Sequence, residues 1–191
     1  MGSISTLSVL ALALLSQSPA PPSPKMLALD PAKSTLTYGI VHKLHKVSAE
    51  CKAVEGKAAL LPDGKVQLMV RAPVSAFKSG DANRDEHMQE VLETGKYGFV
   101  TFKAVAQATP PSTFPATTTL TVSGQLDFHG RKRTESVPLQ LEWSSPTEVR
   151  VKTTFTVSLD AYEVQRPSLL FMKIDDACTI GVDLSLKEEA R

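Results

Sequence analysis

The sequence predicts an all-β fold, an antiparallel barrel of about eight strands with one short helical insertion. Three observations point there. Past Asp30-Pro31 most segments alternate apolar and polar residues with a period of two, which puts one face of each strand in a core and the other in water. Only Asp81–Thr94 carries a convincing helical period. A chain of 191 residues suits one domain, in which long strands must curl until their apolar faces meet. A sandwich would satisfy that burial too, but closure into a barrel also removes the exposed edges.

Residues 1–24 contain no charged side chain and differ from all that follows. The apolar run Leu7–Leu15, then small residues and a Pro-rich stretch through Pro24, predicts a secretory signal peptide or a disordered leader. The run is too short to span a bilayer. The opening Met-Gly and Thr6 also match the loose N-myristoylation pattern, a weak signal. The domain is expected over residues 25–191.

The strands follow in order. Thr35–Val41 alternates, with Leu36, Tyr38 and Ile40 on one side. Lys46–Leu60 reads as one longer strand interrupted at Gly56 by a bend or bulge. Pro62-Asp63-Gly64 is a turn, after which Val66, Leu68 and Val70 restart the period. Ser75–Phe77 reads as an edge or bent segment after Pro73. The helix over Asp81–Thr94 has Asp81 or Asn83 as cap, Met88, Val91 and Leu92 as its apolar stripe, and Gly95 as its end. It is expected across the barrel wall or one mouth. Pro110-Pro111 and Phe114-Pro115 mark an irregular connection. Clear alternation then returns: Leu120, Val122, Gly124, Leu126 and Phe128 on one face; Val137, Leu139, Leu141 and Trp143; Val149 through Leu159 by twos, including Thr153 and Phe155; and Ile180, Val182, Leu184 and Leu186. Glycines, threonines and mid-sized residues on these apolar faces predict room inside, since about eight strands enclose either side chains or one small ligand.

Composition excludes several functions. The 21 basic and 20 acidic residues nearly cancel and aromatics are 6%, so neither a phosphate-binding footprint nor a base-stacking platform is present; no nucleic-acid partner is expected. There is no HExxH, CxxCH, GxSxG or glycine-rich phosphate loop, and adjacent Asp175-Asp176 would point to opposite faces of a strand. His42, His45 and His87 could converge on zinc or haem iron only through folding, which makes a metal- or haem-dependent enzyme an alternative; rim residues or ligand contacts are the other readings. His129 reads as a turn residue. Arg84 either pins the helix to a strand carboxylate or contacts a ligand head group. Leu169, Leu170 and Phe171 line an entrance or plug one end of the core. Cys51 and Cys178, near the two ends of the domain, either form one disulfide joining the first and last strands or remain two buried thiols.

The segments NRDEHMQEVLETGKYGFVTF (Asn83–Phe102), VSGQLDFHGRKRTESVPLQL (Val122–Leu141) and RPSLLFMKIDDACTIGVDLSL (Arg166–Leu186) agree in order and spacing with the YceI-like family of bacterial lipocalin-like proteins, which the chain resembles over Ala28–Leu186. Gly98 departs from the family's usual proline between Tyr97 and Phe99. The resemblance implies an extended eight-stranded lipocalin-like barrel with an apolar tunnel, exported to the periplasm or secreted. It implies no catalysis and no cofactor, but binding of an isoprenoid, a quinone-like tail or another amphiphilic small molecule. Phe77, Phe99 and Phe102 are expected near the cavity, with Arg84 and His87 on the helical insertion. Tyr38, His42, Phe155, Leu170 and Phe171 complete the expected ligand-binding set. Transient membrane contact and homodimer formation are both compatible with such a barrel, as is a purely structural or partner-binding barrel if the lumen is packed solid.

Overall fold

The computed structural model describes residues 23–42, 45–169 and 172–189; the leader and the Leu170-Phe171 pair lie outside them. Among the described residues twelve strands form in chain order: β1 Lys25–Leu29, β2 Thr35–His42, β3 His45–Cys51, β4 Glu55–Leu60, β5 Lys65–Pro73, β6 Phe99–Gln107, β7 Ala116–Phe128, β8 Arg131–Ser145, β9 Glu148–Ser158, β10 Ser168–Leu169, β11 Met172–Lys173 and β12 Ala177–Glu188. One helix, α1 (Ala82–Val91), follows β5.

The wall is an eight-stranded antiparallel barrel, because two of its strands are each broken in half. β1 and β2 both pair with β12, and β1 with β4 as β2 with β3, so β1–β2 and β3–β4 each act as one wall strand. The remaining strands meander from β5 to β9 and close on β12. The first break is made by Pro31, which starts a single 3₁₀ turn, with the Asp30 side chain accepting from the Ala32 amide. The second falls at Lys52–Val54 and not at Gly56, where the sequence predicted an interruption. Gly56 lies within β4, and a Cβ there would sit 3.0 Å from the Met69 carbonyl, so the residue permits a close approach of β4 and β5.

Turns obey local chemistry. Gly64 takes φ +80° in the turn between β4 and β5, closed by its amide donating to Leu61 O. His129 (φ 50°) and Gly130 (φ 72°) form the two-residue loop between β7 and β8, both left-handed as a type I′ hairpin requires. Helix α1 is capped by Asp81, whose carboxylate accepts from the Arg84 amide. It ends earlier than the sequence suggests: Glu93, not Gly95, takes the left-handed conformation that closes it.

The helix lies at the end of the barrel where β2, β5, β7 and β9 finish, and Met88, Val91 and Leu92 turn inward there as the stripe predicted. Asp85 anchors it, accepting from the Ser79 amide at 2.9 Å and the Ser79 hydroxyl at 2.6 Å. Arg84 does not reach a neighbouring strand; its guanidinium faces Asp81 on its own helix at 3.6 Å. The segment between β9 and β12 folds over the same end, held by Arg166, which donates to both Asp160 oxygens and to the Ile174 carbonyl.

Cys51 and Cys178 are separate buried thiols, which corrects the disulfide alternative. Leu36 pairs with Cys51 on one side and Val182 on the other, and Cys178 lies four residues before Val182. Two strand spacings of roughly 4.8 Å and about 13 Å of strand separate the pair, beyond the Cα separation of about 7 Å that a disulfide spans.

Candidate functional site: an apolar lumen

Alternation sends one residue in two from every strand into the barrel, and those side chains do not fill it. They surround a cavity of about 620 Å³, within the usual range for small-molecule sites, roughly 300–1,000 Å³. Leu36, Tyr38 and Ile40 face it from β2, Val66, Leu68 and Val70 from β5, and Leu120, Val122 and Leu126 from β7. β8 contributes Val137, Leu139, Leu141 and Trp143, and β12 contributes Cys178, Ile180, Val182, Leu184 and Leu186. β9 supplies the longest row, Val149, Val151, Thr153, Phe155, Val157 and, just past its end, Leu159.

Polar side chains at the cavity are few. Tyr38 stacks against buried Phe77 at 5.6 Å between centroids. Burial, and then the nearby Asp85 carboxylate, push its phenol up to about 12, so it stands as a neutral donor. Arg84 and His87 border the helix end, with His87 Nδ1 at 3.5 Å from Glu90. Asp85 below them is held under the usual carboxylate range, chiefly by its hydrogen bond from the Ser79 hydroxyl, and so stays charged. Burial raises the Cys178 thiol to about 12, which leaves an inert thiol in the wall.

Of the residues expected in the site, Tyr38, Phe77, Arg84, His87, Phe102 and Phe155 line the lumen. Phe99 does not. It is 47% exposed on the outer surface with the Arg71 guanidinium 5.0 Å above its ring. Phe99 and Phe102 are three apart on one strand and so have opposite parity; Val100 and Phe102 take the inner face. The His42 side chain, Leu170 and Phe171 lie outside the described residues. His45 is exposed, and among the described residues no group of three or more His, Cys, Asp or Glu could hold a metal ion. His129 has a structural place: Nδ1 meets the Tyr162 carbonyl at 3.0 Å and Tyr97 packs edge-on at 4.9 Å. Thr153, on a face that alternation marks as apolar, and Cys178, expected as a disulfide partner or buried thiol, are also lumen residues outside the expected ligand-binding set.

The chain matches the YceI-like domain over residues 27–186, nearly all of the barrel. It belongs to the YceI-like family. The YceI fold recurs in solved structures of low identity. A polyisoprenoid binding domain from Saccharophagus degradans superposes with a TM-score of 0.70 at 17% identity, over 85% of this chain and 98% of that one. BcnA of Burkholderia cenocepacia gives 0.66 at 18%, over 82% and 98%, and the Campylobacter jejuni YceI protein 0.61 at 11%, over 79% and 90%. No curated protein matches the chain in sequence. YceI-like proteins are non-catalytic binding barrels, typically periplasmic or secreted.

Proposed function

We propose that this YceI-like barrel sequesters or carries an amphiphilic molecule with a long apolar tail, of the isoprenoid or quinone-like class, outside the cytoplasm. The observation that carries the reading is the unfilled apolar lumen of about 620 Å³. A barrel serving only as structure or as a partner-binding surface would have packed it with side chains. The polyisoprenoid named for the Saccharophagus degradans domain supports the tail chemistry.

Magnitudes favour a long guest. Each buried CH₂ contributes about 0.8 kcal/mol, so about fifteen carbons supply roughly 12 kcal/mol and six carbons roughly 5. Association costs roughly 4–15 kcal/mol; the short chain only reaches the bottom of that range, whereas the long chain exceeds most of it. Tyr38, Arg84 and His87 sit where a head group at the helix end would meet hydrogen-bond donors. Phe77, Phe102 and Phe155 would pack on the tail. The metal- or haem-dependent alternative gains no support from the described histidines.

Native mass spectrometry of the protein loaded with geranylgeraniol, with hexanol as the short control, tests this. A one-to-one adduct with the long alcohol alone is expected. A bare-chain mass under every loading condition would overturn the proposal.

A further inference from the structure

Three observations meet at one place in the barrel wall, between β8 and β9. The hydrogen-bonded ladder joining these strands runs from Ser145–Glu148 only as far as Gln140–Lys152. Beyond it, β8 keeps its pairing to β7 and β9 its pairing to β12, so the two strands are no longer hydrogen-bonded to each other and leave a seam without a ladder. Outside that seam runs a groove with Thr119, Thr121, Gln140 and Thr154 among its polar lining. Thr37, Leu120, Leu139, Thr153 and Val182 border both this groove and the lumen.

The third observation is chemical. The Thr153 hydroxyl is buried and has no hydrogen-bond partner among the described residues. Buried polar groups in native proteins are almost always paired, and one left alone in an apolar setting points to a partner that binds. Its neighbours in the β9 row, Val149, Val151, Phe155, Val157 and Leu159, are all apolar. Thr153 is therefore the one hydroxyl in the row, at the first position where β9 loses its β8 partner. It sits about 13 Å along β9 from Val149 and about 20 Å from Leu159, well away from Arg84 and His87 at the helix end.

We infer that the β8–β9 seam is a lateral subsite that takes a neutral oxygen-bearing group of the guest, a carbonyl or hydroxyl, with Thr153 as its hydrogen-bond partner. The inference rests on the lumen reading and narrows it: the guest carries an oxygen function well inside the tunnel, in addition to any head group at the mouth. A hydroxyl can both donate and accept, so either oxygen type is served. A charged group is excluded, because Val151, Phe155, Leu139 and Val182 offer it no compensation for lost water.

The test uses the whole chain, with a long n-alkane, its methyl ketone and its mid-chain ketone of the same carbon count as competitors for a fluorescent lumen probe. The wild type is expected to bind the mid-chain ketone about tenfold more tightly than the alkane, the effect of one hydrogen bond. Thr153→Val should abolish that preference and Thr153→Ser should keep it, while binding of the methyl ketone, whose oxygen reaches only the donors at the mouth, should change with neither substitution. The empty Thr153→Val protein should melt no lower than the wild type, since it loses an unpaired hydroxyl; a clear drop would show a structural bond and overturn the inference. Equal binding of alkane and mid-chain ketone by the wild type would also overturn it while leaving the lumen reading intact. Binding of none of the three would remove both.

Discussion

The place of the Phe102 ring in the lumen wall depends on a missing methyl group. Gly124 on β7 faces Ala104 on β6, and Phe102, two residues away on β6, lays its ring across the glycine. A Cβ at Gly124 would stand 2.3 Å from Phe102 Cζ, 2.7 Å from Cε2 and 2.8 Å from Ala104 Cβ. Carbon atoms rest about 3.5–4.0 Å apart, so in Gly124→Ala the ring has to retreat by more than about 1 Å, and the open side is the lumen that Phe102 already lines. Overpacking of this kind costs about 1–3 kcal/mol. With a urea dependence of roughly 2 kcal/mol per molar, the unfolding midpoint should fall by about 0.5–1.5 M at unchanged slope. The displaced ring should also weaken binding of a long-chain guest. A double-mutant cycle isolates the ring's share: in a Phe102→Leu background the alanine should cost less, giving a coupling of about 1 kcal/mol, while the contact with Ala104 Cβ remains. Wild-type stability in Gly124→Ala, or the same loss with and without the phenyl ring, would refute the account of this contact.

Two further outcomes follow from the same geometry. Because the Ser79 hydroxyl holds Asp85 below the usual carboxylate range, its contribution to folding is present above the unfolded pKa and disappears as pH falls through the lowered folded one. Asp85→Asn should therefore destabilise the protein at neutral pH and converge with the wild type in acid, seen in urea midpoints across pH; a constant offset would contradict the assigned cause. Burial raises both thiols, so native protein should not react with an aromatic disulfide reagent, while denatured protein should release two thiols per chain without reductant. Release of none would restore the disulfide.

What could be read in the sequence was whatever parity carries. The inward row Val149–Leu159 was legible because a strand repeats every two residues, and the structure keeps all of it. Parity also bore on the misplaced phenylalanine: Phe99 and Phe102 cannot share a face of an unbulged strand, and the family likeness had set them together. What the sequence hid was set by distant partners. The break at Lys52–Val54, which the sequence placed at Gly56, falls where it does because β3 follows β2 while β4 follows β1. Residues 51 and 178 became neighbours or strangers only once two strand registers were fixed. The β8–β9 seam is a mixed case. Residues on both sides of Gln140 and Lys152 alternate in the same way, and the one local mark of where the ladder stops is Pro138, which has no amide to donate. Barrel closure ties strand tilt to register around the whole ring, and a long hairpin such as β7–β8, fully paired within itself, can follow its own twist only by parting from a neighbour. Thr153 is thus visible in the sequence as a lone polar residue in an apolar row, but its unpaired hydroxyl beside the end of the ladder is not.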